Sequence, residues 1–165
     1  MAIGVADFAV NYPGDVNCIP LSSWVFPEDK KDGFYDYAQT KDIRSFFIDY
    51  IGPHPYKKLA SVQSKTIFGG MENASAIFYA ENTVNGRREE EGLLAHEIVH
   101  QWFGDMATEK SFAHFWLSEG FATYLSHIFL ESKYGTEKLN ELIMADREEV
   151  IDFVKSSRKP VVDSI

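Results

Sequence analysis

The sequence predicts an α+β fold: a small sheet built from residues up to about 84, then three helices, the first of which carries His96-Glu97-Ile98-Val99-His100. Two observations predict it. Before residue 84, β-rich runs alternate with clusters of Gly, Pro, Asn and Asp that favour turns. After residue 89, apolar residues recur at helical spacing in three consecutive segments.

Taken in order, residues 5–10 and 21–26 read as strands, with a turn at Asn11-Tyr12-Pro13-Gly14-Asp15 and a polar loop over 27–33. A helix is expected over 34–51, its apolar face made by Tyr37, Ile43, Phe46, Phe47 and Tyr50, ended by Gly52-Pro53. Residues 59–68 read as a strand broken by Gly69-Gly70, and 74–79 as another, with a loop over 82–88. Glu89-Glu90-Glu91 suits the positive end of a helix dipole and reads as the solvated start of the motif helix. Ser111 is the expected N-cap of a second helix running to Tyr134, with Gly135 as its stop. A third helix runs from Thr136 to about 155 and ends at Lys159-Pro160.

The 165 residues are 45% hydrophobic, enough for one real core and too apolar for a disordered chain. A net charge of −9 disfavours nucleic acid and anionic membrane surfaces as partners. Cys18 is the sole cysteine, which excludes an internal disulfide or a thiolate cluster and leans slightly toward a reducing, cytoplasmic setting, with secreted and periplasmic settings left open. There is no membrane-length apolar run and no signal-peptide pattern. The chain opens in strand-like sequence and stops without a closing element, so a fragment of a longer polypeptide is expected.

On a helix, His96 and His100 lie four apart on one face, about 6 Å apart along the axis, so two imidazoles can grip one metal ion. Glu97 beside them is placed to take a proton from water, which is the H-E-x-x-H arrangement of zinc hydrolases. A catalytic zinc also needs a third protein ligand. Glu119, within Trp116-Leu117-Ser118-Glu119-Gly120-Phe121-Ala122, lies on the next helix, which can fold back onto the first. Its apolar flanks make a buried carboxylate costly unless it is paired or metal-bound.

Gly69-Gly70-Met71-Glu72-Asn73, then the run from His96 to Asp105, then the segment around Glu119 resemble the M1 family of zinc aminopeptidases, the gluzincins. The Gly-Gly form and the short spacing from Glu72 to Glu97 are closer to the leukotriene A4 hydrolase branch than to aminopeptidase N. The resemblance implies a thermolysin-like catalytic domain with a small mixed sheet. Residues 1–22 would end a preceding β-domain, and 23–165 would form the catalytic domain without its C-terminal part. It implies one Zn²⁺ on His96, His100 and Glu119, and Glu97 as general base. Glu72 would bind the α-ammonium of a peptide with a free N-terminus, with Gly69, Gly70, Met71 and Asn73 lining the substrate. Anchoring that charge one residue from the metal restricts cleavage to the first residue. Asn73-Ala74-Ser75 fits a glycosylation pattern, but the resemblance puts Asn73 in the cleft. The family's oxyanion-stabilising tyrosine is expected past residue 165, and its flanking domains elsewhere in the polypeptide.

Two departures are visible. Gly70 stands where the family usually has Ala, a change expected to matter little, and Ser118 where Asn is usual, which alters local hydrogen bonding but not the ligands. His54, His114 and His127 are expected to be structural, Trp102 and Trp116 to be core, and Asp105 to bond a ligand histidine or cap a helix end. Two alternatives to an aminopeptidase stand beside it: a zinc-binding fragment with little or no activity, and a thermolysin-like endopeptidase.

Overall fold

The computed structural model describes residues 2–157. Strands β1 (Ala9–Val16) and β2 (Ile19–Val25) are followed by helices α1 (Lys30–Tyr37) and α2 (Thr40–Tyr50). Strands β3 (Leu59–Ser64), β4 (Gly70–Met71) and β5 (Ala76–Ala80) complete one sheet in the order β1-β2-β3-β5-β4. Helices α3 (Glu91–Val99), α4 (Trp116–Tyr134) and α5 (Thr136–Ser157) follow. The inner strands β2, β3 and β5 run parallel, and the edges β1 and β4 antiparallel. The sheet is mixed, as expected. The domain boundary expected at 22/23 falls inside β2, which pairs with β3 on both sides of it.

Several boundaries differ from the sequence reading, each for a local reason. No turn forms at residues 11–15. β1 runs through them with a register shift between Asn11 and Gly14. Pro13 is tolerated because β1 is an edge strand, where a missing N–H need cost no ladder bond. The chain reverses instead at Asn17-Cys18, whose φ values of 50° and 61° match the twist of a two-residue hairpin. Residues 5–8 lie outside the strand. The helix expected over 34–51 starts earlier, at Lys30, and is broken at Ala38-Gln39. The Asp36 carbonyl accepts from both the backbone N–H of Gln39 (3.3 Å) and its side-chain amide (3.1 Å), diverting the helical ladder. Tyr37, Ile43 and Phe47 are buried as expected, Phe46 is partly so, and Tyr50 is exposed. β3 stops at Ser64, and Gly70 begins a strand rather than breaking one.

The core lies where Leu21, Val25, Leu59, Ile77 and Tyr79 of the sheet meet the helices. Ile43 and Phe47 of α2, Leu94 and Ile98 of α3, and Ala122 and Phe129 of α4 fill the other side. Trp102 belongs to this core and donates its indole N–H to the Pro53 carbonyl at 3.1 Å. Trp116 does not. It is 51% exposed, because it sits on the α4 face turned from the core together with Tyr124. His54 packs edge-on against Trp102. Burial, with the Arg44 cation, holds its pKa down to about 4, so it is neutral. His127 is buried 3.6 Å from Asp146, whereas His114 is exposed.

Ser111 precedes a short 3₁₀ turn, Phe112–His114, rather than capping α4. The first turn of α4 is instead satisfied by Glu109, whose carboxylate accepts the Ser118 N–H at 3.2 Å. Glu91 corrects the solvated reading of the helix start. It is 6% exposed, ion-paired with Lys133, and accepts the Tyr134 hydroxyl at 2.6 Å. Gly135 stops α4 as expected, with φ 88°. The helix end expected at Lys159-Pro160 lies outside the described residues.

The loop entering α3 is held by one buried carboxylate. Asp36 accepts the N–H groups of Asn85 and Gly86 at 2.8 Å and of Arg88 at 3.0 Å. Asp36→Ala strands those donors, and we expect a loss of about 2–3 kcal/mol of unfolding free energy in a urea titration. A loss below about 0.5 kcal/mol would mean that other contacts hold the loop.

Candidate metal centre

Helix α3 forms because Leu93, Leu94, Ile98 and Val99 recur at helical spacing over the core. It runs antiparallel to α4. As numbers rise along α3, partners fall along α4: Glu91 meets Lys133 and Tyr134, His96 lies 3.5 Å from the Thr123 hydroxyl, and His100 faces Glu119. This register brings the three sequence-expected ligands together.

The Nε2 atoms of His96 and His100 are 3.1 Å apart. Glu119 oxygens lie 3.3 Å from His96 Nε2 and 3.7 Å from His100 Nε2. One ligand atom from each residue falls within 4.8 Å of the others. The Phe103 carbonyl, which can only accept, lies 2.9 Å from His100 Nδ1. It therefore accepts a hydrogen bond from Nδ1–H, so the neutral imidazole presents its lone pair at Nε2. Two imidazole nitrogens and a carboxylate thus aim lone pairs into one small space. Ligand bonds of about 2.0–2.2 Å at tetrahedral angles set donors about 3.4 Å apart, close to the spacings found. The donor set and the spacing fit zinc.

The three groups compensate one another's charge. Burial works against charge on His100, but its contacts to Glu119 and to the Phe103 carbonyl raise its pKa to about 9. The imidazoles of His100 and His96 hold Glu119 down to about 2. Glu119 is 37% exposed, and Phe115, Trp116 and Phe121 beside it are exposed too, so its apolar neighbours do not bury it.

Glu97 is 6% exposed, and its Oε2 has no partner among the described residues. Burial raises its pKa to about 7, with His100 pulling the other way. A carboxylate poised near neutrality suits a general base. Gly70 makes room for it: a Cβ there would lie 2.3 Å from Glu97 Cδ. A side chain at position 70 would require the free end of Glu97 to shift. Ser118 bonds its own helix, donating to the Phe115 carbonyl at 3.0 Å, and touches no ligand atom through that hydroxyl.

The glycine segment flanks this centre. Gly69, Gly70, Leu93, His96, Glu97 and Thr123 border a cavity of about 430 Å³. Glu72, with Gly104, Asp105, Phe112 and Ser118, borders another of about 350 Å³. Glu72 is half-buried and close enough to Glu97 and His100 to influence both. Met71 is exposed on the edge strand, and Asn73 turns its amide toward the Met71 carbonyl at 3.4 Å. Asp105 contacts neither ligand histidine through its carboxylate. It accepts from Gln101 at 2.8 Å, while its backbone N–H donates to the His100 carbonyl at 3.0 Å, closing the helix end.

One residue lies inside the run that carries the resemblance but was assigned no role from it. Gln101, fully buried, joins the motif helix to the Glu72 loop through three side-chain hydrogen bonds. A glutamine after a metal motif carries no meaning until its tertiary partners are known.

The pKa shifts predict how the metal-free protein responds to pH. His100 (from 6.5 to about 9), Glu97 (from 4.5 to about 7) and Asp105 (from 3.8 to about 6) all bind protons more tightly when folded. Their stabilisation is complete below the unfolded values and is lost as pH rises through the folded ones. Glu119, held low, acts oppositely but only below its unfolded value of 4.5. The urea midpoint of the metal-free protein should fall steadily as pH rises from about 5 to about 9. Excess zinc should reverse the trend over that range, because its ligands must be deprotonated. A midpoint independent of pH would contradict the assignment.

The profile of the Peptidase family M1 domain matches residues 35–164. Leukotriene A-4 hydrolase of Xenopus laevis is 30% identical over 116 residues, 69% of this chain and 19% of that protein. Glutamyl aminopeptidase of Bos taurus is 32% identical over 121 residues, 67% of this chain and 13% of that protein. A native yeast LTA4 hydrolase structure superposes with a TM-score of 0.84 at 19% identity, covering 96% of this chain and 26% of the other, which establishes the fold. The chain therefore spans less than a fifth of the length of these two sequence relatives. It belongs to peptidase family M1.

Proposed function

We propose that this member of peptidase family M1 is the metal-binding part of a zinc aminopeptidase that removes the N-terminal residue of peptides. The observation that carries the reading is the convergence of His96, His100 and Glu119, with Glu97 on the same helix and Glu72 nearby.

In this reading His96, His100 and Glu119 hold one zinc ion. When bound, it supplies Lewis acidity toward a carbonyl and lowers the pKa of water to about 7. Glu97 takes a proton from the attacking water onto a carboxylate oxygen and delivers it to the leaving amine nitrogen. Glu72 pairs with the substrate ammonium, and the Gly69-Gly70-Met71 backbone at the sheet edge orients the extended chain. An endopeptidase has no use for a carboxylate placed like Glu72, so N-acetylated peptides should be poor substrates. The names of the relatives, an aminopeptidase and a leukotriene hydrolase, agree with a hydrolase of this kind.

Two substitutions test the reading in the intact protein. Glu97→Gln should retain zinc and lose about 10²–10⁴ in turnover of a free-amine aminoacyl anilide. Full activity would sink the assignment. Gly70→Ala brings a methyl group against the Glu97 carboxyl, the free end of a flexible side chain. Because the family carries Ala at this position, the variant should keep kcat close to wild type at unchanged zinc content. A large loss of kcat would show that the Glu97 carboxyl works only from the position that Gly70 leaves open.

A further inference from the structure

The side chain of Gln101 makes a closed set of contacts between two parts of the site. Its Oε1 accepts the Ser75 backbone N–H at 2.8 Å. Its Nε2 donates to the Glu72 carbonyl and to Asp105 Oδ2, each at 2.8 Å. The chemistry fixes the orientation of the amide. Ser75 N–H can only donate, so the oxygen must face it, and the Glu72 carbonyl can only accept, so the NH₂ must face that. All three bonds are made, and the residue is 0% exposed.

The loop so held is short and conformationally costly. It links β4 to β5 and contains Glu72, Asn73, Ala74 and Ser75. Ser75 has φ 71°, a left-handed backbone that a serine adopts at a cost. Its carbonyl accepts the Ala60 N–H at 3.0 Å, so β3 fixes one side of Ser75 and Gln101 the other. Gln101 directly follows His100, so the amide that sets the loop is attached to the element that carries the metal ligands.

We propose that Gln101 is a positioning residue that fixes the reach from the Glu72 carboxylate to the metal centre, and thereby the requirement for a free amino group one residue from the cut bond. This rests on the aminopeptidase reading. The shape of the contacts restricts what can replace it. Glutamate keeps the Ser75 bond but has no donor for Glu72 and meets Asp105 as a like charge. Methionine keeps the volume and loses all three bonds. Asparagine is one methylene short.

The test compares two substrates in the intact protein: an aminoacyl anilide, and the acyl anilide that lacks only the α-amino group. The readout is the ratio of their kcat/KM values. A purely structural defect lowers both rates and leaves the ratio alone. Gln101→Glu should retain zinc, raise KM for the amine substrate and cut the ratio by about tenfold or more, the scale of a misplaced binding group. Gln101→Met should do the same, and it decides the matter if the added carboxylate stops Gln101→Glu from holding zinc. An unchanged ratio in a variant that retains zinc overturns the role of Gln101 and leaves the aminopeptidase reading intact. A wild-type protein without preference for the free amine overturns that reading, and the inference with it.

Discussion

Glu119 meets His96 and His100 across a pair of antiparallel helices, and the rest of the structure is arranged to keep that meeting in register. A slip of one turn would move α4 by about 5.4 Å and leave two imidazoles facing a hydroxyl or an aromatic ring. Two devices oppose the slip. Apolar packing of Leu94 and Ile98 with Ala122 and Leu125 supplies the adhesion. At the far end, Glu91 with Lys133 and Tyr134 gives the pair a polar lock, buried on the glutamate side and therefore directional. The sheet and α2 then form the floor against which α3 rests.

The metal centre and the base differ in how they balance charge. Glu72, Glu97 and Glu119 bring three carboxyl groups to one neighbourhood, and Glu97 feels the other two as repulsion. Without a cation the imbalance is absorbed by protons on His100 and Glu97. A divalent ion bound by these residues would replace those protons, so occupancy of the site and its protonation would be one linked equilibrium. The unpartnered oxygen of Glu97 belongs to the same economy, since a base whose lone pairs were all satisfied would have nothing to offer a substrate.

How much of this was legible in the sequence depended on range. The grouping of His96, His100 and Glu119 was legible because four-residue spacing is a local property of a helix and Glu119 sits in a recognisable segment. The α+β class and the stop at Gly135 were legible for the same reason. What failed involved partners distant in sequence, or residues with weak local preference. Asn17-Cys18 carries no glycine, so Pro13-Gly14 looked the better turn, although an edge strand absorbs it as a bulge. The break between α1 and α2 comes from one carbonyl captured by Gln39. Glu91 is buried by residues more than forty positions away. Trp116 looked like core because periodicity tells which residues share a face, not which face is covered. Gln101 was invisible until the Glu72 loop was folded beside it.

The two-residue strand β4 has a consequence of another kind. It is the outer strand of the sheet next to the metal centre, paired with β5 on one side and open on the other. An open strand edge cannot tell an extended peptide from an edge strand of a second protein molecule, and long ones invite self-association. Here the edge lasts only from Gly70 to Met71 before the chain turns at Glu72 into a strained loop. That length offers hydrogen bonds for a residue or two, too few to nucleate a sheet between molecules, and it closes with a negative charge that repels its own copy. Brevity at this edge lets the fold keep an unpaired backbone exposed without making it a seed for aggregation.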